Sequence, residues 1–60
     1  MRVHFIELRQ RKKLSLRKLS ELTGLSKTGL HEIELGSREP KQQELEKIAE
    51  ALDTTVDELN

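Results

Sequence analysis

The chain has 60 residues, 33% of them hydrophobic and 37% charged, with eleven basic and eleven acidic side chains and no cysteine. That inventory excludes a disulfide scaffold, a thiolate metal site and a cysteine nucleophile, and it leaves a core too small to enclose a substrate among catalytic groups. No apolar run is long enough to span a membrane or to act as a secretory signal, so the expectation is one cytoplasmic, non-enzymatic domain over residues 1–60 without a cofactor.

The balanced total hides a lopsided distribution. Residues 1–31 carry eight Lys or Arg against two acids, Glu7 and Glu21, whereas residues 32–60 carry three against nine. Such polarity suits one face made for an anionic partner and another that is not. The plainer reading is that charges on a small helical domain are simply solvated.

Apolar residues recur at helical spacing from the start of the chain. Phe5 and Leu8, with Met1 in the same phase, predict a first helix over 2–13. Ser15 is a good N-cap for a second helix over 16–23 carrying Leu19 and Leu22, and Gly24 suits the position just past its end. Ser26 caps a third helix over 27–35 with Leu30 and Ile33 inward, closed by Gly36. Pro40 stands where a fourth helix over 41–52 begins, because a fixed φ and a missing N–H fit a first turn. Its inward stripe is Leu45, Ile48, Ala49 and Leu52, while Glu44, Glu46 and Glu50 form a solvated face with Lys47 among them. Thr55 and Glu58 make a capping box for a short last helix over 56–59 with Val56 and Leu59. No stretch alternates with period two, so the chain is expected to be all-α, a compact five-helix bundle.

Helices two and three are short and joined only by residues 23–26 around Gly24. That spacing predicts a helix-turn-helix, with Leu19, Leu22, Leu25, Leu30 and Ile33 holding the pair in place. An ordinary αα-corner fits the spacing equally well. The helix starts separate the two. A helix N-terminus favours acids in its first turn, as Glu44, Asp57 and Glu58 provide for the last two helices. Arg17 and Lys18 follow the Ser15 cap instead, and Lys27 follows Ser26, with no acid to balance them. Each such cation costs about 0.3–1 kcal/mol unless an anion is bound there. A phosphate suits that place, where free N–H groups, the helix dipole and basic side chains converge; the plainer reading is that exposed Lys and Arg tolerate poor dipole placement cheaply.

The stretch Leu14–Pro40, LSLRKLSELTGLSKTGLHEIELGSREP, with FIELRQRKK before it and LEKIAEALDTTVDEL after it, resembles the lambda-repressor/Cro type of helix-turn-helix, the XRE family. The resemblance covers nearly the whole chain and rests on several elements at fixed spacing: Leu8-Arg9, Leu14-Ser15, Leu19-Ser20, Gly24, Leu25-Ser26, Leu30, Ile33-Glu34, Gly36, Arg38 and Pro40. It implies a third helix that enters the DNA major groove while the second crosses the backbone. The matching base readers are Lys27, Thr28 and Glu32, with His31 a neighbour. Lys27 is suited to guanine O6 or N7, Thr28 to a thymine methyl and Glu32 to cytosine N4. Ser15, Arg17, Lys18, Ser26 and Arg38 match positions near phosphates, where contacts set register. Arg9 and Glu34 match a partly buried ion pair that ties the first helix to the end of the third.

The chain departs from that family pattern in places. Leu16 stands where many members carry a DNA-contacting Gln, and Lys18 replaces a frequent capping-box Glu. Gly29 lies inside the recognition helix, either for close approach to DNA or merely tolerated there. Ile6 and Leu35 are expected on the surface from their helical phase. The resemblance implies a bacterial or phage transcription regulator, most often a repressor on a palindromic operator. So small a module suggests a homodimer reading half-sites about 34 Å apart. Val56 and Leu59 are the candidate dimer contact, with plain core the equal alternative. Two other readings stand beside this one: a protein-interaction module that keeps the fold without DNA binding, and a DNA-binding antitoxin, which needs a further segment to neutralise its toxin. His4 and His31 are far apart in sequence and form no triad or metal spacing, His4 being expected on a helix surface. No small-molecule ligand is expected.

Overall fold

The computed structural model describes residues 5–59, so Met1 and His4 lie outside the described residues. Four α-helices follow one another: α1 (Ile6–Arg11), α2 (Leu16–Thr23), α3 (Lys27–Leu35) and α4 (Gln42–Ala51). The last element, Val56–Leu59, is a 3-10 turn rather than a fifth α-helix. Only the hydroxyl half of its expected capping box forms. The Glu58 N–H donates to Thr55 Oγ1 at 3.3 Å and also to the Thr55 carbonyl at 3.1 Å, an i to i+3 bond that tightens the turn.

The helix ends follow from local chemistry. The Ser15 hydroxyl accepts from the Lys18 N–H at 3.0 Å, and the Ser26 hydroxyl accepts from the Gly29 N–H at 2.9 Å, so each satisfies one orphan donor. Gly24, at φ 76°, closes α2 by donating to the Ser20 carbonyl. α1 stops before the expected residue 13 because Lys13 takes φ 56°. Its N–H then donates to Gln10 while the Leu14 N–H donates to Arg9, both at 3.0 Å. Asp53 closes α4 in the same way at φ 54°. Glycine is the usual residue for this left-handed ending, so neither end carries the ordinary sequence signal.

At α4 the sequence reading needs a second correction. Pro40 is not in the first turn; it precedes the N-cap Lys41 and is buried. With the buried Leu45 five residues on, it occupies the outer position of a hydrophobic staple. The cap itself runs through Glu44, whose Oε1 accepts from the Lys41 N–H at 2.9 Å. Glu44 is thus half-buried and engaged, not part of a solvated face.

Phe5, Leu19, Leu30, Ile33, Leu45, Ile48, Ala49, Leu52 and Leu59 form the core, with Leu8, Leu14, Leu16, Leu25, Ala51 and Val56 packed around it. α2 packs on both α3 and α4, and the final turn packs on α4. Leu22 does not join them; it is 52% exposed. Thr23 turns inward in its place, four residues after Leu19 on the same face of α2. Its hydroxyl tolerates burial because it donates to the Leu19 carbonyl at 2.8 Å and accepts from the Leu25 N–H at 3.2 Å, which leaves no unsatisfied polar group.

Candidate functional site

The turn between α2 and α3 is held by side chains of α2 itself. Thr23 bonds Leu25 on one side, and the Ser20 hydroxyl donates to the Leu25 carbonyl on the other. Gly24 reverses the chain between them. This brings the first residue of α2 next to the first turns of α3: Leu16, Lys27, Thr28 and His31 line one open depression of about 350 Å³. Lys27 and His31 stand four residues apart and so share a face of α3. Leu16 is half-buried and rests on the core, which makes the bottom of the depression apolar and fixed. The three α3 residues around it are exposed.

Neither α2 nor α3 has an acid in its first turn. Arg17, Lys18 and Lys27 are all exposed, and among the described residues no carboxylate pairs with them. The positive ends of two helix dipoles and three exposed cations therefore stand at adjoining helix starts with no acid in either first turn. Ser15 and Ser26, the caps of these helices, are exposed beside them. Glu32 is exposed on α3 but lies outside the lining of the depression.

Two arginines are placed differently. Arg9 directs Nε to Glu34 Oε2 at 2.8 Å and Nη2 to Glu34 Oε1 at 3.4 Å, while Nη1 donates to the Leu14 carbonyl at 2.9 Å. The side chains are only 15% and 4% exposed. One guanidinium thereby joins α1, the segment leading into α2, and the end of α3. Arg38 gives Nη2 to Glu44 Oε2 at 2.7 Å and lies over Gly29. A Cβ at that glycine would come within 2.5 Å of Arg38 Nη1 and 2.9 Å of the Ser26 hydroxyl. The space at Gly29 is thus filled from within the protein, by the guanidinium of Arg38. Of the two residues assigned to a dimer contact, Leu59 is fully buried and belongs to the core, while Val56 is half-buried against that core. Burial removes Leu59 from any surface that a second copy can touch.

The sequence reading missed Thr23 and the Gly29–Arg38 contact. A signal for the first existed in the i, i+4 spacing of Leu19 and Thr23. None existed for the second, because a nine-residue separation across a turn carries no periodicity. Among the described residues no cluster of His, Asp or Glu could hold a metal ion, and no helix is long and apolar enough to cross a membrane.

Compared with known proteins, residues 5–59 match a family model described as helix-turn-helix, of the XRE-type, Cro/C1-like class. No curated protein matches the chain.

Proposed function

The chain belongs to the helix-turn-helix family, a family of DNA-binding transcription regulators, and on that premise we propose that it binds double-stranded DNA sequence-specifically as a repressor, a homodimer on a palindromic operator. α3 enters the major groove with Lys27, Thr28, His31 and Glu32 toward base edges. Ser15, Arg17, Lys18 and Ser26 set register on the phosphates, joined by the exposed part of Arg38. The observation that carries this reading is the set of three exposed, unpaired cations on the adjoining starts of α2 and α3, because a bound polyanion offsets their unfavourable placement on the helix dipoles. Both helix caps leave further backbone N–H groups at those tips free for phosphate oxygens.

Selection from randomised duplexes tests it. An enriched inverted repeat, bound with an affinity that falls steeply as salt rises, supports both the specificity and the two-fold symmetry. A single unrepeated half-site argues against the homodimer, and no salt-dependent association at low ionic strength overturns DNA binding altogether. A protein-interaction module is the second reading. The exposure of Leu22 and Leu35, 52% and 59%, favours it, and pull-down of a protein partner in the absence of any duplex binding would establish it.

A further inference from the structure

The depression between α2 and α3 combines three features that together select a ligand group. Leu16, the one half-buried residue of its lining, packs against the core. Thr28, with a methyl and a hydroxyl, and His31, with an imidazole, are exposed beside it. Lys27, an ammonium donor, completes the lining. An apolar bottom fixed by packing gains most from a small apolar group that is otherwise left in water. A donor-only cation beside it requires an acceptor next to that group. Of the base edges in the major groove, thymine alone presents a methyl group directly beside a carbonyl acceptor, O4. Adenine, guanine and cytosine have no methyl there. 5-Methylcytosine has the methyl but sets an amino donor next to it, which faces Lys27 donor to donor.

The geometry points to Leu16 as a specificity-determining residue that seats the 5-methyl group of one thymine, with Thr28 closing the slot and Lys27 directed to O4. This rests on the DNA-binding reading above and adds to it a base identity and a residue of α2, not of α3, that reads it. An α2 residue reaches a base edge here because Leu16 is the first residue of its helix and lies against the first turns of α3. An apolar side chain at this point reads a base by shape and desolvation, where an amide would read it by hydrogen bonds.

The test uses the full chain and the duplex obtained by selection. Each thymine of the bound sequence is replaced in turn by deoxyuridine, which removes the methyl and nothing else. One position is expected to lose about four- to tenfold in affinity, the worth of one buried methyl group. The same replacement is expected to change the affinity of Leu16→Ala or Thr28→Ala by less than about twofold, since the slot no longer holds the methyl. Leu16 also supports the core, so Thr28→Ala, on an exposed side chain, keeps the comparison valid if Leu16→Ala unfolds. At the sensitive position, 5-methylcytosine paired with guanine is expected to bind more weakly than thymine. Equal or tighter binding of 5-methylcytosine overturns the assignment of Lys27 to O4 and with it the thymine preference. Sequence-specific binding that tolerates deoxyuridine at every position overturns this inference alone. Failure of the chain to associate with any duplex overturns it together with the DNA-binding reading.

Discussion

At the start of α4 a single carboxylate does two things: Glu44 accepts from the Lys41 N–H and from Arg38, so the positive helix end and a nearby cation are both neutralised within the protein. At the starts of α2 and α3 the hydroxyl caps are in place, but the first turns hold Arg17, Lys18 and Lys27 and no acid. The same physical problem, a positive helix terminus, is solved by an acid within the first turn of α4, and the first turns of α2 and α3 have no such acid. Where folding alone sets the requirements, the sequence supplies the acid. Where it supplies cations, the proposed DNA contact accounts for them, and the helix starts forgo the stabilisation an acid would bring.

The largest test breaks the contrast at its acid-free helix starts. Replacing Arg17, Lys18 and Lys27 together by Gln is expected to weaken duplex binding by about 10²–10³-fold at moderate salt and to reduce the slope of log affinity against log salt by about 2, one for each of the phosphate-directed residues Arg17 and Lys18. Thermal stability should hold or rise slightly, as helix termini are relieved of repulsion. An unchanged salt slope in a binding titration would show that these cations do not meet phosphate.

Next in size is the buried ion pair. Arg9→Ala leaves Glu34, 4% exposed, without its partner and also frees the Leu14 carbonyl. Denaturant unfolding is expected to register a loss of about 3 kcal/mol, a large share of the stability open to a chain of this size. A loss under about 0.5 kcal/mol, the range of unremarkable surface changes, would mean that the pair is effectively solvated.

Lys18→Glu sharpens the contrast directly, because it gives α2 the arrangement α4 already has. A capping-box carboxylate at that position should raise stability by about 0.5–1 kcal/mol while weakening DNA binding by about tenfold or more. Opposite signs in the two measurements are the expectation; a gain in both would refute the trade between stability and binding.

The smallest effect concerns Gly29. Alanine there gains up to about 1 kcal/mol of helix propensity but displaces the Arg38 guanidinium and crowds the Ser26 cap. Because Arg38 is 39% exposed at its side chain, its bond to Glu44 contributes about 1 kcal/mol at most. The near cancellation makes the single variant uninformative, and the double-mutant cycle with Arg38→Ala is the measurement of choice. Gly29→Ala should be more favourable by about 0.5–1 kcal/mol in the Arg38→Ala background than in the wild type. Strict additivity would show that the two residues do not compete for the same space.

Much of this arrangement was legible before any coordinates. Ser15, Gly24, Ser26 and Gly36 mark helix ends because their chemistry is local, and the stripe Leu45, Ile48, Ala49 and Leu52 follows from periodicity alone. The family resemblance supplied the Arg9 and Glu34 positions, which no local rule connects across 25 residues. The errors have physical causes. Leu22 was read as core because it is apolar, yet it lies about 100° around the helix from Thr23, off the face that α2 shares with α3 and α4, and Thr23 takes the buried position because both of its hydrogen-bonding needs are met at once. The first helix was extended to residue 13 because Lys13 adopts a backbone conformation usually marked by glycine. The final turn kept only half of its box and tightened accordingly. As for the site, the unpaired cations were visible as a pattern of charge against helix starts. The depression floored by Leu16 was not, since it exists only once two helices meet.

The triple grip of Arg9 fixes how the molecule accommodates a duplex. With one planar group clamping α1, the approach to α2 and the tail of α3, the angle between the two reading helices cannot open without rupturing a nearly water-free contact. Mutual adjustment on docking is then left to the softer body, the nucleic acid, whose bendability varies from one base step to the next. On the proposed DNA-binding reading, base steps that the protein never touches are thereby expected to enter its choice of binding site.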